Sequence, residues 1–282
     1  MTRLIRFGAY PLIAGGAAAL LVYMASHGTA YWPLFPAVSL AGVLSVAVLE
    51  RQQPFRTEWL RDHDGDTRID ALHLLVSYAL IQSAVAIAFG LRTLEPEWPS
   101  LWPGDAPLAL QILLAGLIFD AGLYFMHWLS HRNDFLWRLH ALHHSPRRLY
   151  WLNGGRRHPL SALALALPGL TLLLILGATP IALGAWLSFM SVHLAFQHAN
   201  LDYRLGPFRQ LFAVAEMHRW HHKRDFEDAQ VNFGEVLLIW DRLFGSYFDA
   251  KGAPSDISVG LQGQAPAERY LHQLMWPFDR YG

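Results

Sequence analysis

The chain has 282 residues, of which 53% are apolar and only 16% charged, which is too apolar for an ordinary soluble domain of this size. Its formal net charge is zero, so nothing in its electrostatics favours a nucleic acid partner. It contains no cysteine, which excludes disulfides and thiolate metal sites and leaves the redox compartment unread.

A helix needs roughly 20 apolar residues to cross the hydrocarbon core. Taken in chain order, the first such stretch is Gly8–Ser26, read as a retained span because it lacks a clean cleavage site and another apolar segment follows almost at once. The second is Tyr31–Leu49. A charged connector, Arg51–Arg68, leads to the third at Ile69–Leu91. The fourth is Pro107–Leu129. A long apolar stretch, Pro159–Ala199, is broken at Leu176–Pro180, where Gly and Pro suit a tight turn between a fifth and a sixth span. With the N-terminus placed in the cytoplasm, 21 of the 22 Lys and Arg fall on the inside; Arg92 alone is outside, and the loops near Thr29 and Gly177 carry none. This is the bias expected of cytoplasmic loops. From Asn200 onward the chain is polar and aromatic and is expected to fold as a cytoplasmic cap. The expected fold class is therefore all-α: a polytopic membrane helical bundle of about four to six transmembrane helices. Its cytoplasmic helical cap would carry a histidine-rich metal site. The whole of 1–282 reads as one integral-membrane domain: N-terminal spans over 1–106, a histidine-motif core over 107–250 and a tail over 251–282. No repeat or low-complexity tract interrupts it.

Fifteen histidines stand out, eleven of them between His127 and His222. His127-x-x-x-His131 places two imidazoles on one helix face. His140-x-x-His143-His144 and His218-x-x-His221-His222 repeat a second pattern, and His193 and His198 close the sixth span. The residues between them are aromatic or apolar, as in packed helices rather than a metal-scavenging loop. Taken singly, each histidine is better read as a satisfied polar residue at a helix end. Taken together they point to metal, because buried imidazoles without partners cost free energy. Brought together, these ten could supply two metals with about five nitrogens each. That is too many for one zinc hydrolase site, which needs about three protein ligands and a water. Imidazole suits iron, zinc and copper alike.

Here the motifs converge on a family. From about Leu110 to Tyr247 the chain resembles the fatty acid hydroxylase/sterol desaturase superfamily of membrane di-iron oxidases. The resemblance rests on His127/His131, "LHALHHS", "RRHPL" (Arg156–Leu160), "FQHAN" (Phe196–Asn200), "MHRWHHKRD" (Met217–Asp225) and "NFGEVLLIWDRLFGSY" (Asn232–Tyr247). It implies two iron ions, O2 as co-substrate and an external electron donor. It also implies hydroxylation or desaturation of a lipid taken from the bilayer: sterol, fatty acyl or related. The ligands it implies are His127, His131, His140, His143, His144, His218, His221 and His222, with His193 and His198 as an intermediate pair; His158 either ligates or supports the site. No haem-binding segment of the HPGG type occurs, so a separate cytochrome, ferredoxin or reductase is expected to bring electrons. A bacterial inner membrane, with both termini and the metal site cytoplasmic, is the expected location.

Three polar residues are candidates for support around the ligands. Asp120, seven residues before His127, is an acid inside a span, and such residues are functional candidates by default; a hydrogen bond to a neighbouring helix explains it equally. Asp225 lies a helical turn beyond His221 and His222, and a solvated acid beside Lys223 and Arg224 is its alternative. Asn200 could hold a metal-bound water, and helix termination explains it as well. Asp70 and His73 suit a helix-end cap. Arg147, Arg148, Arg156 and Arg157 form a basic rim, for which topology alone is the simpler account. The tryptophans Trp128, Trp137, Trp151, Trp220 and Trp240 suit an interfacial belt. The competing reading is a histidine-rich membrane metal transporter, which would need ionisable residues along a transmembrane path; only Asp120 lies deep in a span. A bis-histidine haem protein would place single histidines on separate helices rather than in triplets.

Overall fold

The computed structural model describes residues 2–28, 31–94, 100–250, 258–263, 266 and 268–279. The expected loop at Thr29 and residues 251–257 of the tail lie outside these. Six helices among the described residues are long and apolar enough to cross a membrane. They are α1 (Thr2–Ser26), α2 (Tyr31–Gln52), α3 (Asp66–Leu94), α4 (Leu108–Ser130), α6 (Pro159–Leu176) and α7 (Pro180–His198). Between α4 and α6 lies a short helix, α5 (Asp134–His144). Beyond α7 come α8 (Ala215–His221), α9 (Ile239–Phe244) and α10 (Tyr270–Met275). There is no strand among the described residues, only isolated bridges. This is a multi-pass helical membrane protein, as the hydropathy pattern requires.

Local chemistry explains the element ends. Pro11 cannot donate to the carbonyl one turn back, and α1 passes through a π turn at Pro11–Gly15. The fifth and sixth spans separate where the sequence places Gly and Pro. Gly177 takes a left-handed φ of 85° and returns its N–H to Leu173 O at 3.1 Å, ending α6. Pro180 then opens α7 at a position needing no donor. Asn133 caps α5 by accepting from Leu136 N at 3.0 Å.

In lipid, apolar burial between helices gains little, because acyl chains are as apolar as leucine, so close packing decides the contacts. α3 leaves Leu75, Ile87 and Leu91 more than half exposed, a face for lipid. By contrast α4, α6 and α7 enclose Phe119, Leu165, Leu173 and Ala185, all at 2% exposure or less. Gly122 and Gly169 set the crossing of α4 and α6: a Cβ on Gly122 would stand 2.5 Å from Gly169 N. Backbone atoms cannot yield as a flexible side chain does. Gly122→Ala should therefore destabilise the protein by about 1–3 kcal/mol, the usual range for overpacking. A lowered thermal midpoint in detergent checks this. An unchanged midpoint would show the crossing to be looser than described.

Candidate metal centre

Four elements carry nine histidines to one place at the ends of the spans. His127 lies in the last turn of α4 and His131 caps it. His140, His143 and His144 come from α5, His198 ends α7, and His218, His221 and His222 come from α8 and its cap. The rings fall into two groups, each able to hold a metal ion. The first is His127, His131, His140, His144 and His221; the second is His143, His198, His218 and His222. Within each group one nitrogen per ring lies within 4.8 Å of all the others. The groups adjoin, since the His144 and His222 rings stack at 4.4 Å.

Each three-histidine motif serves both groups. His140 and His144 go to the first and His143 to the second; His218 and His222 go to the second and His221 to the first. Helical rotation is about 100° per residue. Residues four apart therefore share a side, while the one between them at i+3 is turned about 100° from i+4.

The nine rings are buried, none more than 5% exposed. For His131, His140, His143, His144, His218, His221 and His222, burial is the first cause that pushes the pKa well below the ordinary value. Repulsion from neighbouring imidazoles, and at His143 from Arg157, adds to it. Neutral rings keep a lone pair for a metal. Nε2 of His127, His131, His143 and His221 has no hydrogen-bond partner, and each such buried group costs about 1–3 kcal/mol if left so. Elsewhere Nε2 faces Nε2: His140 to His144 at 3.2 Å, His198 to His218 at 3.0 Å and His218 to His222 at 3.0 Å. Two imidazoles about 2.1 Å from a shared ion would stand about 3 Å apart. The donor set therefore fits metal and has no comparable explanation without it.

Four of the opposite nitrogens are oriented, two by backbone carbonyls and two by side-chain amides. His127 Nδ1 lies 2.7 Å from Phe233 O and His221 Nδ1 3.0 Å from Val231 O. His198 Nδ1 lies 3.1 Å from Asn153 Oδ1, and His131 Nδ1 pairs with the Gln230 amide at 3.2 Å. Such contacts fix ring orientation and tautomer. Glu235 adds a carboxylate 3.6 Å from His127 Nδ1, held by Arg157 through bonds of 2.8 and 2.9 Å. Asn153, Gln230 and the role of Glu235 had no signal in residue spacing, though Glu235 sits within the "NFGE" segment.

Two expected ligands are placed elsewhere. His158 uses both nitrogens on backbone, accepting from Leu160 N at 3.2 Å as the cap of α6 and meeting Leu274 O at 3.1 Å. His193 pairs with the Tyr10 hydroxyl at 2.7 Å and belongs to neither group. It lies five residues before His198, a rotation of about 140°, so the two cannot face one site from one helix.

The three support candidates touch no ligand ring directly. Asp120 accepts from Val236 N (2.9 Å), Leu237 N (3.1 Å) and Trp240 Nε1 (3.1 Å). It anchors the segment whose Phe233 carbonyl orients His127, so it acts at one remove. Asn200 accepts from Arg56 N and donates to Arg56 O, pinning the connector after α2 rather than a water. Asp225 is exposed and bonds Glu227 N, Asp228 N and Gln262. The basic rim is also corrected. Arg148 pairs with Asp66, Arg156 with Asp70 and the half-buried Glu268, and Arg157 with Glu235; these three arginines are buried and only Arg147 is exposed. Asp70 accepts from Tyr150 and Arg156, and His73 meets Arg157 O and Gln273, so this pair binds the 145–158 loop and the C-terminal segment rather than capping a helix.

Six spans ending in two adjoining groups of buried imidazoles define a multi-pass membrane protein built to hold metal at the end of its helical bundle. Residues 112–246 match the family model for fatty acid hydroxylase. The ornithine lipid hydroxylase of Rhizobium tropici is 35% identical over 269 residues, 92% of this chain and 80% of that protein. The alkylglycerol monooxygenase of Danio rerio is 29% identical over 164 residues, 55% of this chain and 32% of the relative. Sphinganine C4-monooxygenase 2 of Arabidopsis thaliana is 30% identical over 144 residues, 50% and 55% of the two chains. No solved structure gives a significant match. The chain belongs to the fatty acid hydroxylase family and is an oxidoreductase, a membrane lipid oxygenase. The transporter reading is not favoured.

Proposed function

We propose that this protein hydroxylates a membrane lipid bearing an amino-acid head group, with two iron ions held by the two histidine groups. The observation that carries the reading is the pair of adjoining groups whose ring nitrogens are buried and lie within 4.8 Å of one another in each group. Iron bound there would supply the activation of O2 that a C–H bond requires and no side chain provides. The chain's own residues hold the site. Phe233 O and Val231 O fix His127 and His221, Asn153 fixes His198, and Asp120 secures the segment that carries Phe233. Burial of the rings keeps water away. Hydroxylation is preferred to desaturation because the hydroxylase of Rhizobium tropici aligns over nearly the whole chain. Its printed substrate, an ornithine lipid, supplies the head-group class. Electrons come from a separate redox protein. The Lys and Arg bias supports a cytoplasmic position for both termini and the metal site in a bacterial inner membrane.

The purified protein should contain two equivalents of iron per chain by elemental analysis, and cells carrying the gene should show lipid species heavier by one oxygen. Protein without transition metal, or a lipid profile unchanged by deletion of the gene, would overturn this reading.

A further inference from the structure

A cavity of about 440 Å³ lies on the cap side of the metal centre, and His144 of the first group lines it. Its apolar lining includes Trp137, Ala141, Phe226 and Ala229, with Trp276 and Pro277 from the C-terminal segment. The Trp137 ring lies 4.7 Å from Phe226 and 5.4 Å from His144, so the apolar lining adjoins a ligand ring. The charged groups at the cavity are of both signs: Arg138, Lys223 and Arg224 with Asp134 and Asp279. Lys223 is already paired with Asp228. Arg138 and Arg224 are exposed and make no ion pair among the described residues, and neither do Asp134 and Asp279.

We infer that this cavity is the head-group subsite, which takes an amphiphile carrying a carboxylate and an ammonium. Arg138 and Arg224 meet the carboxylate, Asp134 and Asp279 meet the ammonium, and the carbons between them lie along Trp137 and Phe226 toward His144. All four side chains are exposed and hydrated, so an uncharged head would simply gain no charge-assisted contact there, while a purely anionic one would also face the two acids. The cavity is lined by α5 and by segments beyond α7, with no residue of a membrane span among its lining, so it suits the head of the lipid and not its acyl chain. The inference rests on the lipid-oxygenase reading and specifies which end of the lipid is read beside the metal.

The test titrates purified full-length protein in phosphatidylcholine nanodiscs with water-soluble N-octanoyl-ornithine. N-octanoyl-norvaline, which lacks the side-chain amine, and octyl glucoside serve as comparisons, with empty nanodiscs as the blank. Arg138→Ala with Arg224→Ala should raise Kd for both acyl amino acids about tenfold or more, the loss expected of a charge-assisted contact. Arg138→Lys with Arg224→Lys should keep most of the wild-type affinity, and octyl glucoside should be unaffected by either pair. Asp134→Asn with Asp279→Asn should weaken the ornithine compound alone. Absence of saturable binding, or equal Kd values in wild type and both variants, would overturn the inference. Iron content and lipid oxidation measured on the same preparation report on the function separately. Charge-dependent binding by an iron-free, inactive preparation would leave the subsite standing and sink the oxygenase reading. Charge-blind binding by an active preparation would sink the subsite alone.

Discussion

Replacing His140 or His221 by alanine should give the same defect, although the two lie in different motifs. Replacing His140 or His143 should give different ones, although they are neighbours in one motif. The reason is the crossed supply, in which His140 and His221 share the first group and His143 lies in the second. Outer partners of metal ligands already cost about 10–100-fold when removed, so loss of a ligand itself should lower turnover by at least about 100-fold. Each variant should lose about one iron equivalent. The iron that remains should carry one spectroscopic signature in the His140→Ala and His221→Ala proteins and another in the His143→Ala and His218→Ala proteins. Matching Mössbauer spectra for the His140 and His143 variants would refute the crossed arrangement. Misfolding is not expected to confuse the result, because ion pairs away from the rings, Arg148 with Asp66 and Arg156 with Asp70 and Glu268, hold the loop between α5 and α6.

The membrane helices were legible because hydropathy depends on composition over a window, and composition survives without knowledge of neighbours. By hydropathy the third span, for example, is Ile69–Leu91, and the helix runs three residues further at each end, Asp66–Leu94. Apart from Leu94 those end residues are polar, and tertiary contacts rather than hydropathy hold two of them: Arg148 reaches Asp66 from a loop 82 residues away, and Arg92 donates to Leu174 O. The eight histidines of the three motifs were legible as a set, because partnerless buried imidazoles are costly whatever the fold. Their division into two groups was half legible. Helical rotation separates His143 from His144, but which partner helix each ring meets depends on how α5 and α8 pack. The same rotation argues against His193 and His198 sharing a site, but which of the two joins the metal groups depends on how α7 packs. Polar support was the least legible part. His127 and His221 are oriented by the carbonyls of Phe233 and Val231, and a carbonyl leaves no mark in side-chain identity.

The Arg157–Glu235 pair should affect stability and metal binding in separable ways. Glu235 is 1% exposed, and both its carboxylate oxygens accept from one guanidinium nitrogen. Removing one partner of such a pair leaves a buried charge unmatched, at a cost of about 3–5 kcal/mol. Arg157→Met and Glu235→Gln should thus both lower the unfolding midpoint. Replacing both residues by Met should restore most of it, since apolar groups of similar volume often substitute for a buried pair without net loss. Iron should separate the two single variants. Arg157→Met leaves a carboxylate 3.6 Å from His127 Nδ1, a negative charge beside a cation site, and iron affinity should hold or rise. Glu235→Gln leaves a guanidinium whose charge already lowers the pKa of His143 and His140, and the same repulsion should weaken iron binding by roughly 10-fold or more. Competition with a chelator at fixed pH measures the difference. Iron affinities that fall together in both variants would show that the pair only braces the loop, whereas opposite movements would show that it sets the charge felt by the metal.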